Sequence, residues 1–278
     1  MIEGWVWWLA VIGGAVCVAA CCGVVNADPL VTLTVAEREG TARAGEMVVT
    51  GVPLPEGRVK DATTLALTDA AGHRVPAEVR PVTRWPDGSI RWVHLYFPAD
   101  CPAAKAVKVT LTGGRVPTKA VSPLTVGEAD GAITVVTGPL KFIVRTQGFN
   151  LIDAAWIDET GRGTFDEAHQ VIAPHTQGAV VRVDGKDYAA GNDRDVTVRV
   201  EEQGPMHVVI KAAGAHRNEK GEKQLNFVAR LYAFAGSPAV KLVYTFVNAQ
   251  GADRQVPIRV DAIHLDPVSY THLTLPTN

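Results

Sequence analysis

The sequence predicts an all-β chain, a small β-barrel followed by an antiparallel β-sandwich. Three observations carry this. Apolar and β-branched residues alternate with period two in one segment after another. Clusters of Gly, Pro, Asp and Asn with turn chemistry separate those segments. Only residues 165–172 have the makings of a helical turn or two, and Pro174 ends them.

Taken in order, LVTLTV (30–35), LALT (65–68), AVKVTLT (106–112) and ITVVT (133–137) are alternating strand text. Turn sequences bound them: Asp69-Ala70-Ala71-Gly72, Thr112-Gly113-Gly114, Thr137-Gly138-Pro139 and Asp184-Gly185. Longer strands follow over 195–201, 207–213, 224–234, 240–248 and 256–265. Between the two kinds lies RVPTKAVSP (115–123), with two prolines and no apolar period. It divides a barrel over 28–116, built of short strands, from a sandwich over 124–267, built of long ones. The segment GVPLPEG (51–57) reads as a stiff extended loop bracing a barrel end, because its prolines fix φ and remove amide donors.

The two ends stand apart from this body. WVWWLAVIGGAVCVAACCGVV (5–25) carries no charge and is long enough to span a bilayer. Its small-residue ending places Val25 and Ala27 at the selective positions of a signal peptidase, with cleavage after Ala27. Val18-Ala19-Ala20-Cys21 has the pattern of a lipobox, which makes lipidation at Cys21 the alternative. The opening MIEG lacks the expected basic residue, which leaves a retained anchor as a third reading of residues 1–27. All three predict an exported body that is periplasmic, extracellular or lipid-anchored, and that meets a membrane only through the leader. Cys17, Cys21 and Cys22 lie in that leader, so Cys101 is left without an internal disulfide partner. Residues 268–278, VSYTHLTLPTN, fit no element before them. They resemble a translated sequencing-library adapter, which implies a gene interrupted near Pro267; a short native tail is the alternative. Lys and Arg number 27 against 29 Asp and Glu, a formal net charge of −2. With no basic stripe, nucleic acid is not an expected partner.

RWPDGSIRWVHLY (84–96) is the stretch richest in candidate binding residues. Pro86-Asp87-Gly88-Ser89 is a turn between strands over 79–85 and 90–97. In the second strand Arg91, Val93, Leu95 and Phe97 share one face, and Ile90, Trp92, His94 and Tyr96 the other. Both faces are largely apolar, which predicts a strand packed on both sides and a buried Trp92. Arg84 and Trp85, at the mouth of the turn, remain the substrate-binding candidates, since guanidinium pairs with carboxylate and indole stacks on sugar rings.

GEMVVTGVPLPEGRV (45–59), LTDAAGHRVPAEV (67–79) and RWPDGSIRWVHLYFPA (84–99), in that order, resemble the N-terminal RIFT-barrel domain of the PcRGLX/YetA-like family. VEEQGPMHVVIKAAG (200–214) and FVARLYAFAGSPAVKLVYTFVN (227–248) are similar to its central sandwich. That family includes exo-acting rhamnogalacturonan lyases with a barrel first, a sandwich second and a large α/α toroid last. The resemblance implies the non-catalytic front part of an exported polysaccharide lyase-like protein. Its substrate would be pectic rhamnogalacturonan, cleaved by β-elimination, and its in-chain partner a toroid absent here. A non-catalytic cell-surface module for carbohydrate binding or scaffolding is the alternative.

A lyase of this kind must neutralise a carboxylate, remove the adjacent proton and protonate the leaving oxygen. His169, His175, His207, His216, Arg230 and Tyr232 are of suitable types. None has the partner spacing of a catalytic set, so no catalytic residue is assigned. His207 begins a strand, His216 falls in the polar text AHRNEKGEK, and Arg230 and Tyr232 share a strand face. Asp158-Glu159 with Asp166-Glu167, and Asn192-Asp193 with Asp195, offer loop oxygens of the kind calcium takes. They lack EF-hand spacing and read as solvated loop charge, so no metal site and no cofactor are expected. There is no GxSxG, P-loop, GxGxxG or HExxH.

Overall fold

The computed structural model describes residues 28–113, 122–248 and 258–265. The leader with Cys21 and Ala27, most of the connector at 115–123 and the tail at 268–278 lie outside the described residues.

The first unit has two antiparallel sheets around one core. β1 (Asp28–Ala36), β7 (Ala106–Gly113), β3 (Leu65–Asp69) and β4 (Arg74–Val75) form one sheet in that order. β2 (Arg43–Pro53), β6 (Ile90–Cys101) and β5 (Glu78–Arg84) form the other. Val52, Leu54, Val93, Leu95, Phe97 and Leu111 fill the space between them. The 51–57 loop does brace this unit: Gly51 to Pro53 end β2, Leu54 donates its amide to the Arg91 carbonyl, and the Gly57 amide bonds Ser89 Oγ at 2.9 Å. Cys101 is a buried free thiol against the carbonyls of Val35 and Lys105.

The second unit is a sandwich. β8 (Thr125–Ala129), β9 (Ala132–Val136), β10 (Leu140–Arg145), β11 (Ala154–Ile157) and β12 (Gln170–Ile172) make a sequential meander. The facing sheet contains β13 (Ala179–Val183), β14 (Lys186–Ala189), β15 (Thr197–Gln203), β16 (His207–Arg217), β17 (Lys223–Phe234), β18 (Val240–Val247) and β19 (Val260–Leu265). Its order is β18-β17-β16-β14-β13-β19, with β15 paired to β16. Ile133, Phe142, Phe149, Val208, Phe227 and Leu231 pack between the sheets.

Two readings of the sequence change. Residues 165–172 supply one 3-10 turn, Glu167–His169, and then β12, because β11 offers a strand edge to pair with. Strand length does not separate the units: β2 and β6 have 11 and 12 residues, as do β16 and β17. Sheet order and separate cores distinguish them instead.

Candidate functional site

Turn chemistry positions the β5–β6 hairpin. Gly88 holds φ at 82°, which glycine tolerates without a Cβ clash. The Trp85 amide donates to the Ser89 carbonyl at 2.8 Å, and the Gly88 amide to the Trp85 carbonyl at 3.0 Å. Asp87 Oδ1 accepts from the Ser89 hydroxyl at 2.5 Å and amide at 2.8 Å, which holds its carboxyl below the usual range. Arg84 is exposed, yet its Nη1 is fixed by the carbonyls of Lys60 at 3.0 Å and Gly88 at 2.7 Å. Trp85 is half-buried: its indole N–H donates to the Leu54 carbonyl at 3.0 Å, and the Arg91 guanidinium lies 4.7 Å over its ring. Arg84 borders a groove of about 640 Å³ at the seam between barrel and sandwich, together with Lys60, Asp61, Glu78, Pro81 and Pro205.

The prediction of a buried Trp92 is overturned. Trp92 is 39% exposed and His94 is exposed as well. Val93, Leu95 and Phe97 face the barrel core, whereas Trp92, His94 and Tyr96 face outward, and only Tyr96 is covered. The expected faces also fail at the start of the strand, because Ile90 enters the barrel core and Arg91 is exposed where the β5–β6 register shifts, and further along period two tells which side chains share a face but not what covers it. Trp92 lies across Gly51, where a Cβ would stand 2.6 Å from the indole Nε1. Val49 and Val82, on the flanking strands, are exposed too.

Further along the same face the sandwich closes over β6. Tyr96, Met206 and Ala235 form a small buried cluster with Met47, Leu124 and Phe234. The Tyr96 ring stacks on His207 with centroids 3.9 Å apart and planes within 5°. His207 is 1% exposed, with Nδ1 3.1 Å from Glu78 Oε2 and Nε2 3.2 Å from Glu202 Oε2. Each ring nitrogen thus faces a carboxylate oxygen. Glu78 Oε2 also accepts the Met206 amide at 2.9 Å, and Arg80 pairs with Glu202. Gly204 makes room, since a Cβ there would collide with the Glu78 carboxylate. Burial, and then the charges of Glu202 and Glu78, push the Tyr96 phenol up.

Sequence reasoning singled out His207 but missed Glu78, Arg80, Tyr96 and Glu202. No local signal marks them, because 129 residues separate Glu78 from His207.

The remaining candidates are not gathered into one site. His216 falls within β16 rather than a loop and is fully buried. It donates from Nδ1 to the Leu225 carbonyl at 2.7 Å and accepts from the Tyr244 hydroxyl at 2.9 Å. Burial lowers the pKa of His216 and raises that of Tyr244. Arg230 and Tyr232 do share the outer face of β17, where Arg230 forks onto Glu201 at 2.5 and 3.1 Å and Lys241 lies over Tyr232. His169 pairs with Asp166 at 2.6 Å, and His175 sits between the carbonyls of Ala173 and Asn150.

The loop acids are used locally. Asp158 accepts from the Thr160 hydroxyl and from the amides of Thr160, Gly161 and Gly163, which holds its carboxyl at about 2. Burial raises Asp193, but the Ala215 amide and the Arg217 guanidinium outweigh it and keep that carboxyl low. Asp195 pairs with Arg217 as well. Among the described residues no group of three or more His, Cys, Asp or Glu is placed to hold a metal ion. No helix among them is long and apolar enough to cross a membrane.

Two family models match this chain. Residues 34–112 match the PcRGLX-like N-terminal RIFT barrel domain, and residues 124–260 match the PcRGLX-like protein central beta sandwich domain. The chain is 27% identical over 215 residues to YetA of Bacillus subtilis strain 168, covering 74% of this chain and 24% of that protein. It thus spans about a quarter of that relative's length. A solved structure of a protein in the glycosyl hydrolase family 38 from Enterococcus faecalis is 11% identical, covering 79% of this chain and 31% of the other, at a TM-score of 0.44. The two matches follow the barrel and the sandwich in chain order, and the chain belongs to the PcRGLX-like family.

Proposed function

We propose that this chain is the non-catalytic front part of an exported polysaccharide lyase-like protein that acts on pectic rhamnogalacturonan by β-elimination. The observation that carries the reading is the succession of the family's barrel and sandwich, with their central acid–base groups committed internally. His207 is clamped between Glu78 and Glu202, and His216 is bonded to Leu225 and Tyr244. A general base must reach the proton it abstracts, and neither ring faces solvent. The barrel and sandwich then brace a catalytic region elsewhere in the parent protein and extend its groove. The test is an assay for unsaturated uronate product by ultraviolet absorbance. Residues 28–267 alone are expected to give none, and turnover by that fragment overturns the reading.

The exposed Trp92, with Val49 and Val82 beside it, favours a second reading, a cell-surface carbohydrate-binding or scaffolding module. Reading the gene past codon 267 separates the two. A continuing frame with helical periodicity supports the lyase-like parent, and a prompt stop supports the module.

A further inference from the structure

β18 ends the larger sandwich sheet, and on its outer side it has no strand partner among the described residues. An edge strand presents a row of unpaired amides and carbonyls, which proteins guard with short strands, proline, bulges or charge. The other strands paired on one side follow that rule. β4 and β12 have two and three residues. β1, β2 and β5 each contain a proline and a register shift. β15 and β19 are shifted against their neighbours, and β8 has five residues with an acid among them. β18 has eight residues, VKLVYTFV, with no proline, no shift against β17 and Lys241 as its one charge. Val240, Leu242 and Tyr244 pack toward the core, while Val243 and Val247 stand 39% and 38% exposed on the outer face. The next described strand does not cover this edge, because β19 pairs with β13 at the far side of the sheet.

The sequence of β18 is also self-complementary. An antiparallel copy must keep inward residues inward, since a slip of one residue exchanges the two faces. A two-fold axis through Val243 meets that condition. It sets Val243 beside its own copy, Leu242 beside Tyr244 and Lys241 beside Thr245. Exposed valines then cover each other, and no like charges stand directly opposite.

We infer that β18 is a self-association surface. A second copy of this chain adds its own β18 antiparallel, with the axis at Val243, and two larger sheets join in a closed isologous pair. Pairing at β18 is independent of any polysaccharide activity.

Sedimentation velocity of the whole chain over a concentration series tests it. The unaltered protein is expected to form a concentration-dependent dimer. Val243→Lys and Val243→Glu each place like charges together at the axis, so each alone is expected to weaken the dimer by about tenfold or more. Because Val243 is exposed on an edge, both variants are expected to keep the circular dichroism and thermal unfolding of the parent. Mixing the two variants is expected to restore the dimer, since Lys then faces Glu across the axis. Val82→Lys, on the exposed barrel face, is expected to leave association unchanged. A monomer at every concentration overturns the inference, as does a dimer that Val243→Lys leaves intact. Failure of the mixture to recover overturns it too, and so does an equal loss in Val82→Lys.

Discussion

At the scale of single residues, the most informative side chain is His207. Removing it leaves Glu202 with Arg80 but takes from the buried Glu78 its side-chain partner, and breaking a buried pair in this way costs about 3 kcal/mol. Thermal unfolding of His207→Ala should show a loss near that size, and a change below about 0.5 kcal/mol would refute the clamp. Gly51→Ala is expected to turn the Trp92 indole away, since the new Cβ would stand 2.6 Å from Nε1. Its signature is altered tryptophan emission with a stability loss of about 1 kcal/mol. Some of this was legible in the sequence and some was not. Pro86 to Ser89 announced a turn through their own backbone chemistry, and Asp184-Gly185 did the same between β13 and β14. The exposure of Trp92 and the pairing of Glu78 with His207 depend on distant segments, which local pattern does not encode.

Among the elements, strand order and loop caps decide what alternation leaves open. His216 looked like loop because its neighbours Arg217, Asn218, Glu219 and Lys220 are polar. Yet β16 continues through it, since β17 supplies hydrogen-bond partners as far as Arg217 opposite Lys223. The barrel candidates Arg84 and Trp85 were legible because a turn mouth is a local feature, whereas the groove beside Arg84 needs Pro205 from the other unit. The loop after β11 makes its own prediction. Asp158 is held at about 2 against an ordinary 3.8. A depressed carboxyl stabilises the loop above the ordinary value, and that contribution is lost as pH falls from about 4 toward about 2. The Gly163 amide, which donates to Asp158 Oδ2 at 2.5 Å, should keep its nuclear magnetic resonance position at pH 4 and shift with a midpoint near 2. A midpoint near 4 would contradict the capping.

For the molecule as a whole, Tyr96, Glu78 and Arg80 on the barrel side meet Met206, His207 and Glu202 of the sandwich at the seam. Tyr96 covers His207 and packs with Met206 and Ala235, so Tyr96→Ala removes contacts from both sides of the seam. It is expected to cost about 3 kcal/mol and to split a single calorimetric transition into two. One undivided transition in that variant would show that the units are coupled elsewhere. The pairing of β19 with β13, Leu265 opposite Ala179, has a consequence for how the protein is made. The barrel is complete once β7 has emerged from the ribosome, because β7 closes directly on β1. Among the described strands the larger sandwich sheet gains β19 last, and domains generally fold as units from the N-terminus during synthesis. The nascent chain therefore carries a finished barrel while β13 still has an open side. Exposed strand edges invite pairing with other chains, so between residues 183 and 260 the nascent chain presents the β13 edge that β19 later covers.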